Sequence, residues 1–291
     1  MRPLLFSIAY RMLGSVAEAE DVVQEAYLRR AAAGEVDNEK AFMTTVTTRI
    51  AIDVLRSARM RREAYVGEWL PEPLVEPEAP GAVEAEETVS LAMLVLLERL
   101  NEVERAVFVL RESFDLGFEQ IAAIVERSED NCRQILTRAR RRMADGEPRF
   151  DADPVQRRAL ASRFLAAARE GDLDGLVALL APDAVLIGDG GGIARALPRP
   201  MVGAAAIARA MVGFYGKVEE WGVTLEPAWI NGQPGFRTLD ADGLLVNVVS
   251  LDVVDGRVVA VHSIVNPDKL THLGQTSTIG LRPASRSARR S

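Results

Sequence analysis

Leu4, Leu5, Ile8, Ala9 and Met12 recur every three or four positions, which puts them on one side of a helix at the start of the chain. Ser15 is placed to cap a second helix, Val16 to Arg30. That helix carries Val22, Val23, Ala26 and Tyr27 on one face and Glu18, Glu20, Asp21 and Glu25 on the other, with Gly34 as its stop. A third helix is predicted from about Glu39 to Met60, with Phe42, Val46, Ile50 and Leu55 among its apolar positions. Residues 1–66 thus read as one all-helical unit, and helical spacing returns over 88–146. From Pro154 the period changes. Helices are predicted at Val155–Glu170, Leu173–Leu180 and Ala204–Tyr215. Strands are predicted at Ala184–Ile187, Gly222–Ile230, Gly235–Asp240, Leu244–Val254 and Arg257–Val265. Asp242-Gly243 and Asp255-Gly256 between alternating runs mark hairpins. Helices followed by an antiparallel meander make residues 154–270 an α+β domain.

The segments between these units differ in kind. Residues 67–89 hold seven acidic residues, four prolines and no basic one, a composition that builds no core and reads, over 67–87, as a semi-extended tether. The tail 271–291 is rich in Ser, Thr and Arg and is expected to be disordered. The formal charge of the 291 residues is −7, which alone argues against a nucleic-acid partner. Its distribution reverses that inference, because residues 127–143 carry six arginines against two acids. No apolar run approaches the roughly 20 residues of a membrane span, so no membrane is expected. The apolar start has no small-residue cleavage site after it, which argues against a signal peptide. A single cysteine, Cys132, and two histidines predict no disulfide, no metal site and no cofactor, and fit a reducing cytoplasm.

The most specific local signal lies between Leu116 and Met143. Phe118, Ile121, Ala122 and Val125 form a short amphipathic helix, Glu126-Arg127 makes a turn, and Ser128 can cap the helix after it. That second helix buries Cys132, Ile135, Leu136, Ala139 and Met143, which leaves Asn131, Arg133, Gln134, Thr137, Arg138 and Arg141 outside. This is a helix-turn-helix pattern. Early polar positions suit base edges in the major groove, and late arginines suit phosphates. A second basic cluster, Arg56, Arg59, Arg61 and Arg62, closes the third helix of the first unit. Asp37, Asn38 and Phe42 precede it, a loop amide and an aromatic that suit an unstacked base. The same arginines equally suit the negative end of a helix dipole.

Taken in order, AEDVVQEAYLR, TTRIAIDVLRSARMRR, a linker, and a helix-turn-helix ending RARRRM resemble an extracytoplasmic-function sigma factor over residues 1–143. WLPEPL (Trp69–Leu74) and NPDKL (Asn266–Leu270) further resemble a subgroup of these factors with a C-terminal SnoaL-like, NTF2-like domain. The fold class implied is two all-α sigma domains, the second a helix-turn-helix, followed by an α+β cone. The resemblance implies core RNA polymerase and promoter DNA as partners. It places Asp21, Val22, Glu25 and Arg29 on the helix presented to the polymerase clamp. It assigns Asn38, Phe42, Arg49, Arg56 and Arg59 to the −10 element and the helix from Ser128 to the −35 element. Phe42 is the one aromatic between Glu35 and Ile52, which implies a strict promoter requirement.

For the C-terminal domain the resemblance implies regulation in cis. Trp69, Leu70, Pro71, Glu72, Pro73 and Leu74 would dock with Asn266, Pro267, Asp268, Lys269 and Leu270, with Lys269 and Asp268 pairing to the acidic linker or the first helical unit. Members of the subgroup usually carry lysine after the Asp189-Gly190-Gly191-Gly192 run, where Ile193 stands here. Such cones enclose a pocket that could take an unidentified small molecule, and some are enzymes with an acid–base pair inside. Asp189, Asp252 and His262 are the candidates for such a pair, though spacing does not group them, and His262 reads first as a structural strand residue. A SnoaL-type enzyme fused to a DNA-binding module and a stand-alone helix-turn-helix regulator are the alternative readings.

Overall fold

The computed structural model describes residues 1–76, 88–144, 153–216 and 220–281. The chain divides into two compact units, Met1–Ala64 with Ala82–Arg149, and Tyr65–Gly81 with Phe150–Ser291.

In the first unit, α1 (Arg2–Leu13) ends at Gly14, whose φ of 65° lets its N–H close on the Tyr10 carbonyl at 2.7 Å. Ser15 then caps α2 (Val16–Ala32), its hydroxyl accepting from the Glu18 amide. That helix stops at Ala32, ahead of Gly34, because Ala33 turns to extended backbone at φ −77° and ψ 146°, its amide closing on the carbonyls of Arg29 and Arg30. Asn38 caps α3 (Glu39–Glu63) through its side-chain oxygen and the Ala41 amide. Leu5, Ile8, Met12, Val23, Ala26, Met43 and Ala51 fill the space between the three helices. Tyr27, expected on the inner face of α2, is 39% exposed.

The second helical group comprises α4 (Leu91–Leu97), α5 (Glu102–Phe108), a π-helical turn (Val109–Ser113), α6 (Phe118–Val125) and α7 (Glu129–Ala144). Asn101 and Glu104 make a reciprocal capping box at the start of α5. The two groups share one unit, and Arg105 shows why. Fully buried, it donates to Leu97 O at 2.9 Å and to Met12 O at 2.8 Å, and it pairs with Glu98 at 2.8 Å. A guanidinium in so little water needs all of these acceptors.

The second unit is built on a seven-stranded sheet in the order β1-β4-β5-β6-β7-β2-β3. Its strands are β1 (Val75–Glu76), β2 (Leu180–Asp189), β3 (Met201–Val202), β4 (Thr224–Ile230), β5 (Gln233–Leu239), β6 (Leu245–Val254) and β7 (Arg257–Ile264). The meander β4 to β7 is antiparallel as the sequence pattern implies, but β2 joins β7 in parallel, so the sheet is mixed. Helices α8 (Pro154–Glu170), α9 (Leu173–Leu179) and α10 (Ala204–Tyr215) lie on one face. Phe164, Leu176, Ile207 and Met211 interleave there with Phe236, Val249 and Leu251 to form the core. Asn231-Gly232 and Asp255-Gly256 make the tight hairpins, with all four residues at positive φ.

Part of the tail expected to be disordered is ordered instead. Gln275 and Ser277 bond the Leu245 backbone, Ser277 also donates to Asp240 at 2.5 Å, and Leu281 bridges Ala194. Residues 282–291 lie outside the described residues.

Truncating Arg105 to alanine removes the cation from three acceptors at once. We expect Arg105→Ala to cost about 3–5 kcal/mol, as for breaking a buried ion pair. Chemical denaturation of the full chain would measure it.

Candidate nucleic-acid interface and docked linker

The helix-turn-helix forms as its residues imply. Glu126 takes the left-handed turn at φ 56° and α6 ends there. The Ser128 hydroxyl accepts from the Asn131 amide at 3.2 Å and starts α7. Cys132, Ile135, Leu136, Ala139 and Met143 are buried. Burial pushes the Cys132 thiol above its ordinary pKa, so it serves as a small core residue. Of the residues expected to face DNA, Gln134, Arg138 and Arg141 are exposed and Asn131 is half-buried. Three others have structural duties. Ser128 is the cap, Thr137 donates to the Arg133 carbonyl, and Arg133 pairs with Glu129 at 2.8 Å and Asp130 at 2.9 Å while lying over the Phe118 ring.

On α3, the side-chain oxygen of Asn38 is used by its own cap, and Phe42 is half-buried behind it. Arg49 bonds Ala123 O at 2.8 Å and Ile124 O at 3.0 Å, and pairs with Glu126 at 3.1 Å. Arg56 pairs with Glu102 at 3.2 Å. The side chains of Arg59, Arg61 and Arg62 lie outside the described residues. On α2, Asp21 and Arg29 are exposed, and Glu25 pairs with Arg29 at 2.8 Å. Val22 corrects its expected role, because it is 1% exposed and packs into the three-helix core, where no partner reaches it. Tyr27 and Leu28, at 39% and 60% exposure, instead give that surface its apolar character.

In the second unit, Tyr65–Glu76 is not a free tether. It is strapped to the domain along its length. Asp189, at the end of β2, receives four donors on two oxygens. They are Tyr65 OH at 2.5 Å, the Gly191 amide at 3.1 Å, the Leu70 amide at 2.8 Å and Lys269 Nζ at 2.6 Å. Lys269 also donates to the Leu70 carbonyl and stands 4.1 Å from the Trp69 ring and 4.8 Å from the Tyr65 ring. Asn266 donates to Tyr65 OH at 2.8 Å while its oxygen caps the 3₁₀ turn Pro267–Lys269. Farther along, Pro73 O contacts His272 Nε2 at 2.8 Å, and Leu74 exchanges both backbone bonds with Asn231, through N–H to Oδ1 and O to N–H. Val75 and Glu76 then pair with Ile230 and Trp229 as an added edge strand. Leu70, Pro71, Pro73 and Leu270 are buried, and Glu72 is half-buried.

Two expectations change here. Lys269 meets Asp189 and a backbone carbonyl where an acidic linker side chain was expected, and Asp268 stands exposed outside the cluster. Pro77–Glu87, which holds most of the acidic residues, lies outside the described residues.

Asp189 is thereby engaged by the linker and Lys269. The register of β6 and β7 brings Asp252 and His262 together, 3.5 Å apart, with Ser250 directly opposite His262. All three are buried, and Ser250 Oγ, Asp252 Oδ1 and His262 Nδ1 have no hydrogen-bond partner. Burial holds the Asp252 carboxyl above its usual range, and the neighbouring His262 works against that shift. Among the described residues no three His, Cys, Asp or Glu side chains gather to hold a metal, and no helix is long and apolar enough to cross a membrane.

Three family models match in order: sigma-70 region 2 over residues 1–61, sigma-70 region 4 over 90–143, and a SnoaL-like domain over 161–272. The ECF RNA polymerase sigma factor SigJ of Mycobacterium tuberculosis is 37% identical over 289 residues, 93% of this chain and 91% of its own. The chain belongs to the ECF RNA polymerase sigma factors. It is a transcription initiation factor of that family with a C-terminal SnoaL-like domain. The probable ECF sigma factor SigI of the same organism is 32% identical, covering 94% of this chain and 93% of its own. The crystal structure of M. tuberculosis SigJ aligns with a TM-score of 0.74 at 35% identity, over 93% of this chain and 95% of that one. In this sigma factor α1–α3 are region 2, and α4–α7 are region 4.

The strap carries a pH signature. Burial, then the hydrogen bond and charge of Asp189, push the Tyr65 phenol well above its ordinary 10.0. An acid held neutral in this way contributes stability in full below pH 10, and that contribution is lost as pH rises beyond it. The melting temperature of the native chain should exceed that of Tyr65→Phe at pH 8, and the gap should narrow above pH 10.

Proposed function

We propose that this sigma factor binds core RNA polymerase through the α2 surface around Asp21, Glu25, Tyr27, Leu28 and Arg29. The loop before α3, with Phe42 and the arginines of α3, meets the −10 element. The outer face of α7 reads the −35 element, with Gln134 and Asn131 suited to adenine edges and Arg138 and Arg141 to guanine or phosphate. The SnoaL-like domain regulates these units in cis. It works as a holder of the linker, and catalysis is not its role. The observation that carries this reading is the Asp189–Lys269 lock on Tyr65–Leu70. Asp189, one of the candidate acid–base carboxylates, has its oxygens committed to four donors. A linker segment held as an edge strand is fixed in register, and release of that segment changes how freely the two promoter-reading helices separate.

Run-off transcription with core polymerase tests this. The full chain, a chain ending at Gly146 and full-length Lys269→Ala would be compared on a promoter from the gene's own upstream region. We expect core-dependent transcript, with Lys269→Ala shifted toward the truncated chain by several-fold. Identical yield from Lys269→Ala and the native chain would remove the regulatory role of the lock. No transcript from any of the three would remove the proposed partners.

A further inference from the structure

Arg49 sits on α3, on the helix read above as a −10 contact, yet its guanidinium is engaged inside the same unit. Nε donates to Ile124 O at 3.0 Å, and Nη2 donates to Ala123 O at 2.8 Å and reaches the Glu126 carboxylate at 3.1 Å. Three oxygens thus converge on one planar fork. The first two are last-turn carbonyls of α6, which carry the negative end of the helix dipole and have no partner within the helix. The third is a full negative charge on Glu126, held in place by the left-handed turn of the helix-turn-helix at φ 56°. The arrangement offers an arginine what a phosphodiester offers it, oxygens with net negative charge spaced for bidentate bonds.

Other exposed contacts along the seam between the two helical groups are also polar, while the buried bond of Arg105 to Met12 O holds its interior. Arg56 meets Glu102 at 3.2 Å, and Arg11 meets Ser113 Oγ at 3.3 Å and the Phe114 ring at 5.7 Å. Arg49 is 44% exposed and Glu126 73%, so solvent and polyanions reach the pair. Exposed pairs of this kind are weak singly, which suits a contact that a competitor is meant to replace.

We infer that the C-terminal end of α6 together with Glu126 is an internal phosphate mimic that occupies Arg49. A nucleic-acid backbone then competes with region 4 for the same side chain. Engagement of −10 DNA by α3 and release of the helix-turn-helix from α3 become one event. The inference rests on the reading of Arg49 as a DNA contact.

The test is a double-mutant cycle in the full-length protein, with Glu126→Asn and Arg49→Ala alone and together. Asparagine tolerates the left-handed conformation, so the turn is kept. Binding to a mixed-sequence 30-base-pair duplex is measured by fluorescence anisotropy over a series of salt concentrations. We expect Glu126→Asn to tighten binding several-fold and to steepen the dependence of log Kd on log salt by about 0.9, the value for one added phosphate contact. In the Arg49→Ala background most of that gain should vanish. An equal gain in both backgrounds would reduce the effect to simple removal of a negative charge and overturn the mimic. So would no gain at all while Arg49→Ala still weakens binding. Should Arg49→Ala leave binding and slope unchanged in both backgrounds, the reading of Arg49 as a DNA contact fails, and the mimic fails with it. Circular dichroism melts of the four proteins separate these outcomes from misfolding.

Discussion

One carboxylate organises the C-terminal half of this sigma factor. Asp189 is wholly buried, and a buried carboxylate persists as a charge only when paired and fully hydrogen-bonded. Its four donors come from three places in the chain: the linker at Tyr65 and Leu70, the glycine run at Gly191, and the final turn at Lys269. Each donor fixes its own segment. The positive φ of Gly191 brings its amide to Asp189, and a Cβ there would strike the Asn266 side chain at 2.3 Å. Glycine is therefore required at that point by packing as well as by conformation. The rings around Lys269 add to this, because its Nζ stands over the Trp69 ring at 4.1 Å and the Tyr65 ring at 4.8 Å.

Much of this architecture is readable in the residues. The helix-turn-helix follows from Gly117, the Glu126-Arg127 turn, the Ser128 cap and the 3.6-residue stripe of Cys132, Ile135, Leu136, Ala139 and Met143, all of them local signals. The helices of the cone and its meander follow from periodicity in the same way. What escapes is whatever depends on a distant partner. Two-residue β1 has no period to detect, and its pairing with β4 joins positions far apart in the chain. The parallel union of β2 with β7 is likewise a matter of register.

The candidate site residues divide along the same line. Gln134, Arg138 and Arg141 face outward, as an amphipathic helix requires. Arg133 and Asn38 are the right residue types, but neighbouring acids and amides engage them. On α2 the periodicity places Val22, Val23 and Ala26 correctly in the core, and Tyr27, at the margin of that stripe, turns outward. Asp252 and His262 are ten residues apart, and only the hairpin at Asp255-Gly256 sets them side by side. The partners of Arg49 lie 74 and 75 residues away, beyond any local pattern.

The lock around Asp189 also has an order in time. Lys269 and the Leu70 carbonyl it holds are 199 residues apart. A ribosome delivers the region 2 and region 4 helices long before it delivers that lysine. The segment Tyr65–Leu70 is therefore made long before its partner, and the strap closes only once residue 269 has been made. A chain cut between residues 146 and 266 keeps regions 2 and 4 whole and lacks the lysine that closes the lock.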